Sequence, residues 1–208
     1  MTRGAGARRV LWDVDTQVDF VRPDGKLAVP DAEAALPAMG RLVAAAREAG
    51  IPHIASADDH ELTDDEISEQ PDFRETYPPH CLRGTVGAAK VPETVQLDPI
   101  PLALTPVPGH WLRGREFLLL KKHFDVFTNP NADLLLDRLD PDEVVVFGVA
   151  TDVCDDAAIR GLLARGRAVT FVPDASRGLD EARTAACLDD WRARGVRFAS
   201  VDEVLAEL

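Results

Sequence analysis

The chain of 208 residues carries 36 acidic and 23 basic side chains, a formal net charge of −13, and 46% of its residues are hydrophobic. This composition indicates a folded core, and the negative charge argues against nucleic acid and anionic membranes as partners. No stretch approaches the roughly 18 uncharged apolar residues that span a bilayer, and no apolar signal segment precedes Asp13. Because the three cysteines are not closely spaced, we expect no disulfide framework and a cytoplasmic location.

Strands and helices are predicted to alternate along one domain over residues 1–208, with a loose tail at 1–8. Six apolar segments predict strands, at 10–14, 51–55, 117–120, 143–147, 168–172 and 196–199. Helices are predicted between or after them, at 31–49, 131–139, 151–164, 179–194 and 201–208. Residues 57–115 are rich in proline and show no periodicity, which predicts a long excursion that carries the active-site loop.

This alternation predicts an α/β fold, a three-layer α/β/α sandwich around a mostly parallel sheet of about six strands. Such sheets bind ligands beyond the carboxyl ends of their strands. Asp15, Lys121 and Cys154 each follow a predicted strand. A helix N-terminus and a nearby lysine lower the pKa of a thiol, and a carboxylate can accept its proton. We therefore predict a nucleophilic triad, although each residue alone is more often a packing, capping or surface residue.

A second cluster of polar residues follows the second predicted strand. Asp58, His60, Glu66 and His80 offer two carboxylates and two imidazoles along one loop. These ligand types suit zinc, manganese or iron. The alternative is an acidic loop whose charges are simply solvated. Because the candidate ligands come from both ends of a long loop, we favour the metal site.

Five motifs occur in an order that resembles one enzyme family. They are DTQVDF (15–20), DDH (58–60), YPPHCLRGT (77–85), KKHFDVF (121–127) and GVATDVC (148–154). Residues 10–176 therefore resemble the nicotinamidase branch of the isochorismatase-like cysteine hydrolases, which implies the fold of that family. The YPPH block favours amidases over isochorismatases, whose vinyl-ether substrate does not need a thiol.

The resemblance implies a role for each member of the triad. Cys154 matches the nucleophile of the family, Asp15 its general base and acid, and Lys121 its third member. Lys121 is preferred to Lys122 because the family's lysine lies three residues before an aromatic residue.

The resemblance also implies the remaining parts of a site. The N–H groups of Ala150 and Cys154 match an oxyanion hole, shaped by a cis peptide bond between Val149 and Ala150. The matching substrate residues are Phe20, Tyr77 and Gln17. The matching metal ligands are Asp58, His60 and His80, with Glu66 where many members have histidine. One divalent ion is implied, for which we expect zinc, with manganese or iron as alternatives.

The implied function is metal-dependent hydrolysis of a small carboxamide, nicotinamide to nicotinate and ammonia, through a thioester on Cys154. Another substrate with a C–N bond (N-carbamoyl, ureido or biuret-like) would use the same triad. A different alternative is a hydrolase in which metal-bound water attacks and Cys154 only packs, and a third is a binding domain without turnover. By family analogy we expect a homo-oligomer, in which residues 86–115 form a lid or an oligomer contact.

Overall fold

A seven-stranded sheet forms the centre of the computed structural model, which describes residues 8–208. In chain order the strands are β1 (Arg9–Val14), β2 (His53–Asp58), β3 (Ile100–Leu102), β4 (Glu116–Lys121), β5 (Glu143–Val149), β6 (Ala168–Arg177) and β7 (Arg197–Phe198). Neighbouring strands are parallel throughout, in the order β3-β4-β2-β1-β5-β6-β7. The predicted parallel α/β sheet is confirmed. The predicted tail at 1–8 lies outside the described residues except for Arg8.

Helices cover both faces of this sheet. They are α1 (Val18–Val21), α2 (Leu36–Ala49), α3 (Asn131–Leu139), α4 (Cys154–Ala164), α5 (Glu181–Ala193) and α6 (Val201–Glu207). One face buries a core that contains Met39 and Leu42 of α2 together with Val204 of α6. The opposite face buries Trp12 of β1 with side chains of α3 and α4 and with Trp191 of α5. The three layers are those that the sequence predicts. Within residues 8–208, no helix combines the length and the apolarity needed to cross a membrane.

The structure contains one strand that the sequence patterns do not predict. β3 is only three residues long, has Pro101 at its centre, and pairs only with β4 at the edge of the sheet. Proline has no N–H group to donate, so it is tolerated at an edge where no further strand pairs. Several boundaries also differ from the prediction. β6 extends to Arg177, and β2 runs from His53 to Asp58. The helices predicted from residues 31 and 151 begin at Leu36 and Cys154, and the helix predicted from residue 179 begins at Glu181, capped by the side chain of Asp180.

The strand order brings the carboxyl ends of β1 and β5 side by side. The chain leaves β1 towards one edge of the sheet and β5 towards the other. In α/β sheets the crevice at such a reversal is where ligands bind. Gly148 of β5 has φ +141°, and a Cβ atom there would lie 2.1 Å from the carbonyl oxygen of Val14. Because only glycine allows this approach, Gly148 lets the segment that leads to Cys154 lie directly against β1.

A buried ion pair fastens the excursion to β1. Lys90 Nζ lies 2.6 Å from Asp13 Oδ2, and the two side chains are 7% and 0% exposed. The Thr16 hydroxyl donates to Asp13 Oδ1 at 2.8 Å and lies 2.6 Å from the hydroxyl of Thr94. This part of the 86–115 segment is therefore packed into the fold beside the end of β1.

We expect Lys90→Met to destabilise the fold strongly, because it leaves the Asp13 carboxylate buried without its cation. Burial acts to raise the pKa of Asp13, but Lys90 and His53 hold it below its ordinary value, so the group is charged at neutral pH. Urea denaturation should show a loss of about 3 kcal/mol or more in the free energy of unfolding. The control is Arg41→Met, which breaks an exposed pair with Asp202 and should cost far less. Equal losses in the two variants would contradict this account.

Candidate active site

The residues predicted as a triad lie together at the carboxyl ends of β1, β4 and β5. Lys121 Nζ lies 2.9 Å from Asp15 Oδ2 and 3.7 Å from Cys154 Sγ. Asp15 is the first residue after β1, Lys121 is the last residue of β4, and Cys154 is the first residue of α4. All three side chains are buried. Residues from three distant parts of the sequence thus meet around one ammonium group.

Lys121 also contacts the second predicted cluster, because its Nζ donates to Asp58 Oδ1. Burial acts to lower the pKa of Lys121, but Asp15 and Asp58 raise it well above its ordinary value, so the ammonium stays charged. The pKa of Asp58 is well below its ordinary value despite burial, because of Lys121 and the two neighbouring imidazoles. Burial and the charge of Asp58 raise the pKa of Asp15, even against Lys121. Of the two carboxylates, Asp15 is therefore the one poised to accept a proton.

The predicted lowering of the pKa of the Cys154 thiol is wrong for this arrangement. Burial raises that pKa well above its ordinary value; the charge of Lys121 opposes this shift, and those of Asp15 and Asp58 add to it. The helix N-terminus and the lysine are both present, but the thiol lies in a desolvated position among carboxylates. The resting sulfur is therefore a neutral thiol that needs a base.

The four candidate metal ligands converge on one point. Asp58, His60, Glu66 and His80 are all buried, and each offers a ligand atom that lies within 4.8 Å of the others. Nε2 of His80 is 3.4 Å and Nε2 of His60 is 3.6 Å from Asp58 Oδ2. Each of the four side chains is at most 3% exposed. The alternative of a solvated acidic loop is therefore wrong.

The bonding of these groups fits a divalent metal ion. Asp58 Oδ2 and His60 Nε2 are buried and have no hydrogen-bond partner among residues 8–208. Polar atoms buried in this way are costly unless a ligand satisfies them. His80 Nδ1 lies 2.7 Å from the carbonyl oxygen of Pro78, which can only accept, so Nε2 keeps its lone pair. Two imidazole nitrogens and two carboxylates form a donor set that suits zinc, manganese or iron.

An outer layer of groups orients these ligands. His60 Nδ1 lies 3.3 Å from Asp64 Oδ2, which in turn accepts from Lys122 Nζ at 2.7 Å. Glu66 Oε2 accepts from the backbone N–H of Phe124 at 2.8 Å. Lys122 therefore contacts Asp64, which contacts His60, and Lys122 does not lie in the cluster around Lys121. The choice of Lys121 over Lys122 agrees with this placement.

A small cavity opens onto Cys154. It is lined by Phe20, Leu27, Val29, Asp58, Glu66, Tyr77, His80, Ala150, Val153, Cys154 and Leu179. The volume of about 20 Å³ has room for about one water molecule, so side chains must move to admit an aromatic ring. The ring centroids of Phe20 and Tyr77 lie 5.2 Å and 6.3 Å from that of His80. Both predicted aromatic residues thus lie on the cavity.

Gln17 is not among the residues that line this cavity, and its contact with substrate stays a prediction. Its Nε2 donates to the carbonyl oxygens of Asp58 and Ala88 at 2.8 Å, and its Oε1 accepts from the N–H of Asp58 at 2.7 Å. Gln17 is fully buried. The side chain holds the backbone of Asp58 on both sides, so it positions a metal-ligand candidate that also contacts Lys121 of the triad.

Two backbone N–H groups are available at the cavity. Cys154 begins α4, where a helix has no acceptor of its own for the N–H group. Within residues 8–208, neither this N–H nor that of Ala150 donates to another group. The peptide bond between Val149 and Ala150 is cis, as the resemblance predicts. Two N–H groups without an acceptor among residues 8–208 therefore belong to residues that line the cavity.

Several residues of the site carry no sequence signal. Leu27, Val29 and Leu179 line the cavity from segments between regular elements. The hydroxyl of Ser56 donates to Asp15 Oδ1 at 2.8 Å from within β2. No motif spacing marks these residues, and only the folded arrangement identifies them.

Comparisons with known proteins agree with this geometry. A family model described as the isochorismatase domain matches residues 10–203. A protein of Mycobacterium tuberculosis named nicotinamidase/pyrazinamidase is 30% identical over 193 residues, which cover 91% of this chain and 97% of the relative.

Solved structures of the same fold are also similar. An isochorismatase family protein from Desulfovibrio vulgaris is 26% identical with a TM-score of 0.75, over 97% of this chain and 100% of the other. The pyrazinamidase of Pyrococcus horikoshii in complex with zinc is 24% identical with a TM-score of 0.72, over 93% and 99% of the two chains. The latter identity supports the likeness of fold alone.

We expect Asp155→Asn to stabilise the protein, and to do so more at alkaline pH. Asp155 follows Cys154, is fully buried, and neither carboxyl oxygen has a hydrogen-bond partner among residues 8–208. Burial, and then the charge of Asp15, raises its pKa well above the ordinary value. The unfolded chain therefore loses this proton at lower pH than the folded chain, and stability falls as pH rises above about 4.

Thermal melts of the wild type and Asp155→Asn at pH 5 and pH 8 test this expectation. The gain in melting temperature should be larger at pH 8. Asp189→Asn is the matched control, because Asp189 is exposed on α5 and should show little change at either pH. A lower melting temperature for Asp155→Asn at pH 8 would contradict the assignment of a neutral carboxyl.

Proposed function

Because the chain belongs to the isochorismatase family, we propose that it hydrolyses nicotinamide to nicotinate and ammonia through a thioester on Cys154. At the coarser level it is an amidohydrolase of C–N bonds, similar to nicotinamidase/pyrazinamidase. The observation that carries the proposal is the contact of Lys121 Nζ with both Asp15 and Cys154, beside the buried cluster of metal-ligand candidates. We assign the whole chain to one such domain.

Asp15 is the base that activates the sulfur. Its raised pKa makes it a competent acceptor, and the thiol of Cys154 starts with its proton. The S–H electron pair stays on sulfur as the proton moves to Asp15. Lys121 remains charged beside both groups and stabilises the thiolate while it exists.

The thiolate then attacks the carboxamide carbon. A C–S bond forms, and the π electrons of the carbonyl move to its oxygen. The N–H groups of Ala150 and Cys154 donate to that oxyanion; losing one such donor typically costs about a hundred- to a thousandfold in rate. When the C–N bond breaks, protonated Asp15 returns its proton to nitrogen, and ammonia leaves a thioester on Cys154.

Water completes the turnover. Asp15, ionised again, takes one proton from the attacking water, and the hydroxyl oxygen bonds to the thioester carbon. When this second tetrahedral intermediate collapses, the C–S bond breaks and the carboxylic acid is released. The sulfur recovers its proton from Asp15, so one amide and one water yield one acid and one ammonia.

The walls of the cavity favour an aromatic carboxamide. Phe20 and Tyr77 supply aromatic faces, while Leu27 and Val29 are apolar. The residues that would hold one divalent metal, which we propose to be zinc, are Asp58, His60, Glu66 and His80. When bound there, a metal supplies a Lewis-acid centre for a ring nitrogen. This combination favours a pyridine carboxamide over the N-carbamoyl, ureido or biuret-like alternatives.

We expect Cys154→Ala to abolish release of ammonia from nicotinamide, because the thioester cannot form. The loss in kcat should be at least about a thousandfold, measured with an ammonia-coupled assay. Cys187→Ala is the matched control and should keep its activity, because this half-buried thiol lies on α5, away from the cavity. Iodoacetamide should inactivate the wild type by modifying one thiol.

The metal-water alternative makes the opposite prediction. If Cys154→Ala kept full activity and lost it only after a chelator was added, Cys154 would be a packing residue. If neither protein released ammonia from any amide at any enzyme concentration, the chain would be a binding domain.

The pH profile of kcat/KM for nicotinamide should be bell-shaped. Activity needs an ionised Asp15 and a protonated Cys154, and both pKa values are raised by burial. The acid limb should therefore lie above about pH 4, the ordinary range of aspartate, and the alkaline limb above about pH 8.5, that of cysteine. Circular dichroism should show an intact fold across the range. A flat profile, or an acid limb below pH 4, would argue against proton transfer to Asp15.

A further inference from the structure

A second cavity adjoins the one that contains Cys154. Its volume is about 250 Å³, and its lining includes Tyr77 and Val153, which also line the inner cavity. The two cavities therefore share a wall. Because the inner cavity is small, a substituent that extends from an aromatic ring towards Tyr77 and Val153 would reach the outer cavity.

Three arginines and two aspartates line the outer cavity. The arginines are Arg74, Arg160 and Arg183. Tyr77 and Phe124 add aromatic surface to the same walls. The cavity therefore combines guanidinium groups with aromatic walls, which a carboxylate on an aromatic ring can contact.

The two aspartates are already committed to other groups. Asp152 accepts from the backbone N–H groups of Leu179 and Asp180 at 2.7 Å and 3.2 Å, and it pairs with Arg183. Asp156 accepts from the side chains of Trp191 and Arg160, each at 2.8 Å. These carboxylates are therefore neutralised in place.

Arg74 differs from the other two arginines. Arg160 pairs with Asp156 and Asp190. Arg183 pairs with Asp152 and Asp180 and donates to the carbonyl oxygen of Phe73 at 3.3 Å. The guanidinium of Arg74 makes no ion pair or hydrogen bond within the described part of the chain. Its five N–H donors are available in the planar geometry that matches a carboxylate.

We propose that the outer cavity is a substrate subsite for an anionic substituent, with Arg74 as the residue that selects it. The substrate class is an aromatic carboxamide that carries a carboxylate on the side of the ring opposite the amide. With the amide carbon at Cys154, that substituent leaves the inner cavity past Tyr77 and Val153. This inference rests on the proposed amidase function, which supplies the orientation of the substrate.

The test compares two amides that differ only in charge, 4-carbamoylbenzoate and 4-methylbenzamide. The wild type should show the higher kcat/KM with 4-carbamoylbenzoate. Arg74→Gln should lower kcat/KM for 4-carbamoylbenzoate about tenfold more than for 4-methylbenzamide, mainly through KM, since one charged hydrogen bond is lost. Arg113→Gln removes the same charge from an exposed position remote from both cavities, and should leave the ratio unchanged.

Binding provides a second measurement that does not need turnover. Calorimetry on Cys154→Ala protein should give tighter binding of 4-carbamoylbenzoate than of 4-methylbenzamide, and the added Arg74→Gln change should remove the difference. Equal effects of Arg74→Gln on both amides, or equal binding of the two amides, would overturn the subsite. Selective binding without ammonia release from either amide or from nicotinamide would support the subsite while the proposed amidase function fails.

Discussion

The buried ammonium of Lys121 is the charge on which the rest of the site depends. Removing a cation from water is costly, and here the cost is offset because two carboxylates, Asp15 and Asp58, contact it. Asp58 uses its other oxygen to face the imidazoles of His60 and His80. One lysine therefore contacts Cys154 and Asp15, the proposed nucleophile and base, and also Asp58 of the cluster of metal-ligand candidates.

These charged side chains must be held at fixed positions, and the parallel sheet and a few buried polar groups hold them there. The carboxyl ends of adjacent strands meet at one edge, and Gly148 allows β1 and β5 to approach closely there. Gln17 holds the backbone of Asp58 through two hydrogen bonds, to its carbonyl oxygen and from its N–H group, and a third joins Gln17 to the carbonyl oxygen of Ala88. The ion pair of Asp13 and Lys90 attaches the segment that contains Lys90 to β1. These groups act by positioning, so the reactive side chains do not depend on mobile loops for their placement.

Burial affects the pKa values of the site residues as strongly as the distances between their charged groups do. The thiol of Cys154 lies beside a lysine at the start of a helix, yet its pKa is raised because burial and nearby carboxylates dominate. The same burial raises the pKa of Asp15 and makes it a better base. In the proposed mechanism, a neutral thiol beside a basic carboxylate avoids a permanently charged sulfur in a buried position, and the thiol gives up its proton when the amide is attacked.

Much of this protein follows from local sequence. Alternating apolar segments predict a parallel α/β sheet because each buried strand must be followed by a helix that covers it. Residues at the carboxyl ends of such strands meet at one edge of the sheet, and this rule predicts that Asp15, Lys121 and Cys154 lie together. The gathering of His60 and His80 followed from motif spacing. Only the tertiary structure decided the role of Gln17, the edge strand β3, the direction of the thiol pKa and the walls of both cavities. These features depend on contacts between segments distant in sequence and on burial, neither of which a local pattern encodes.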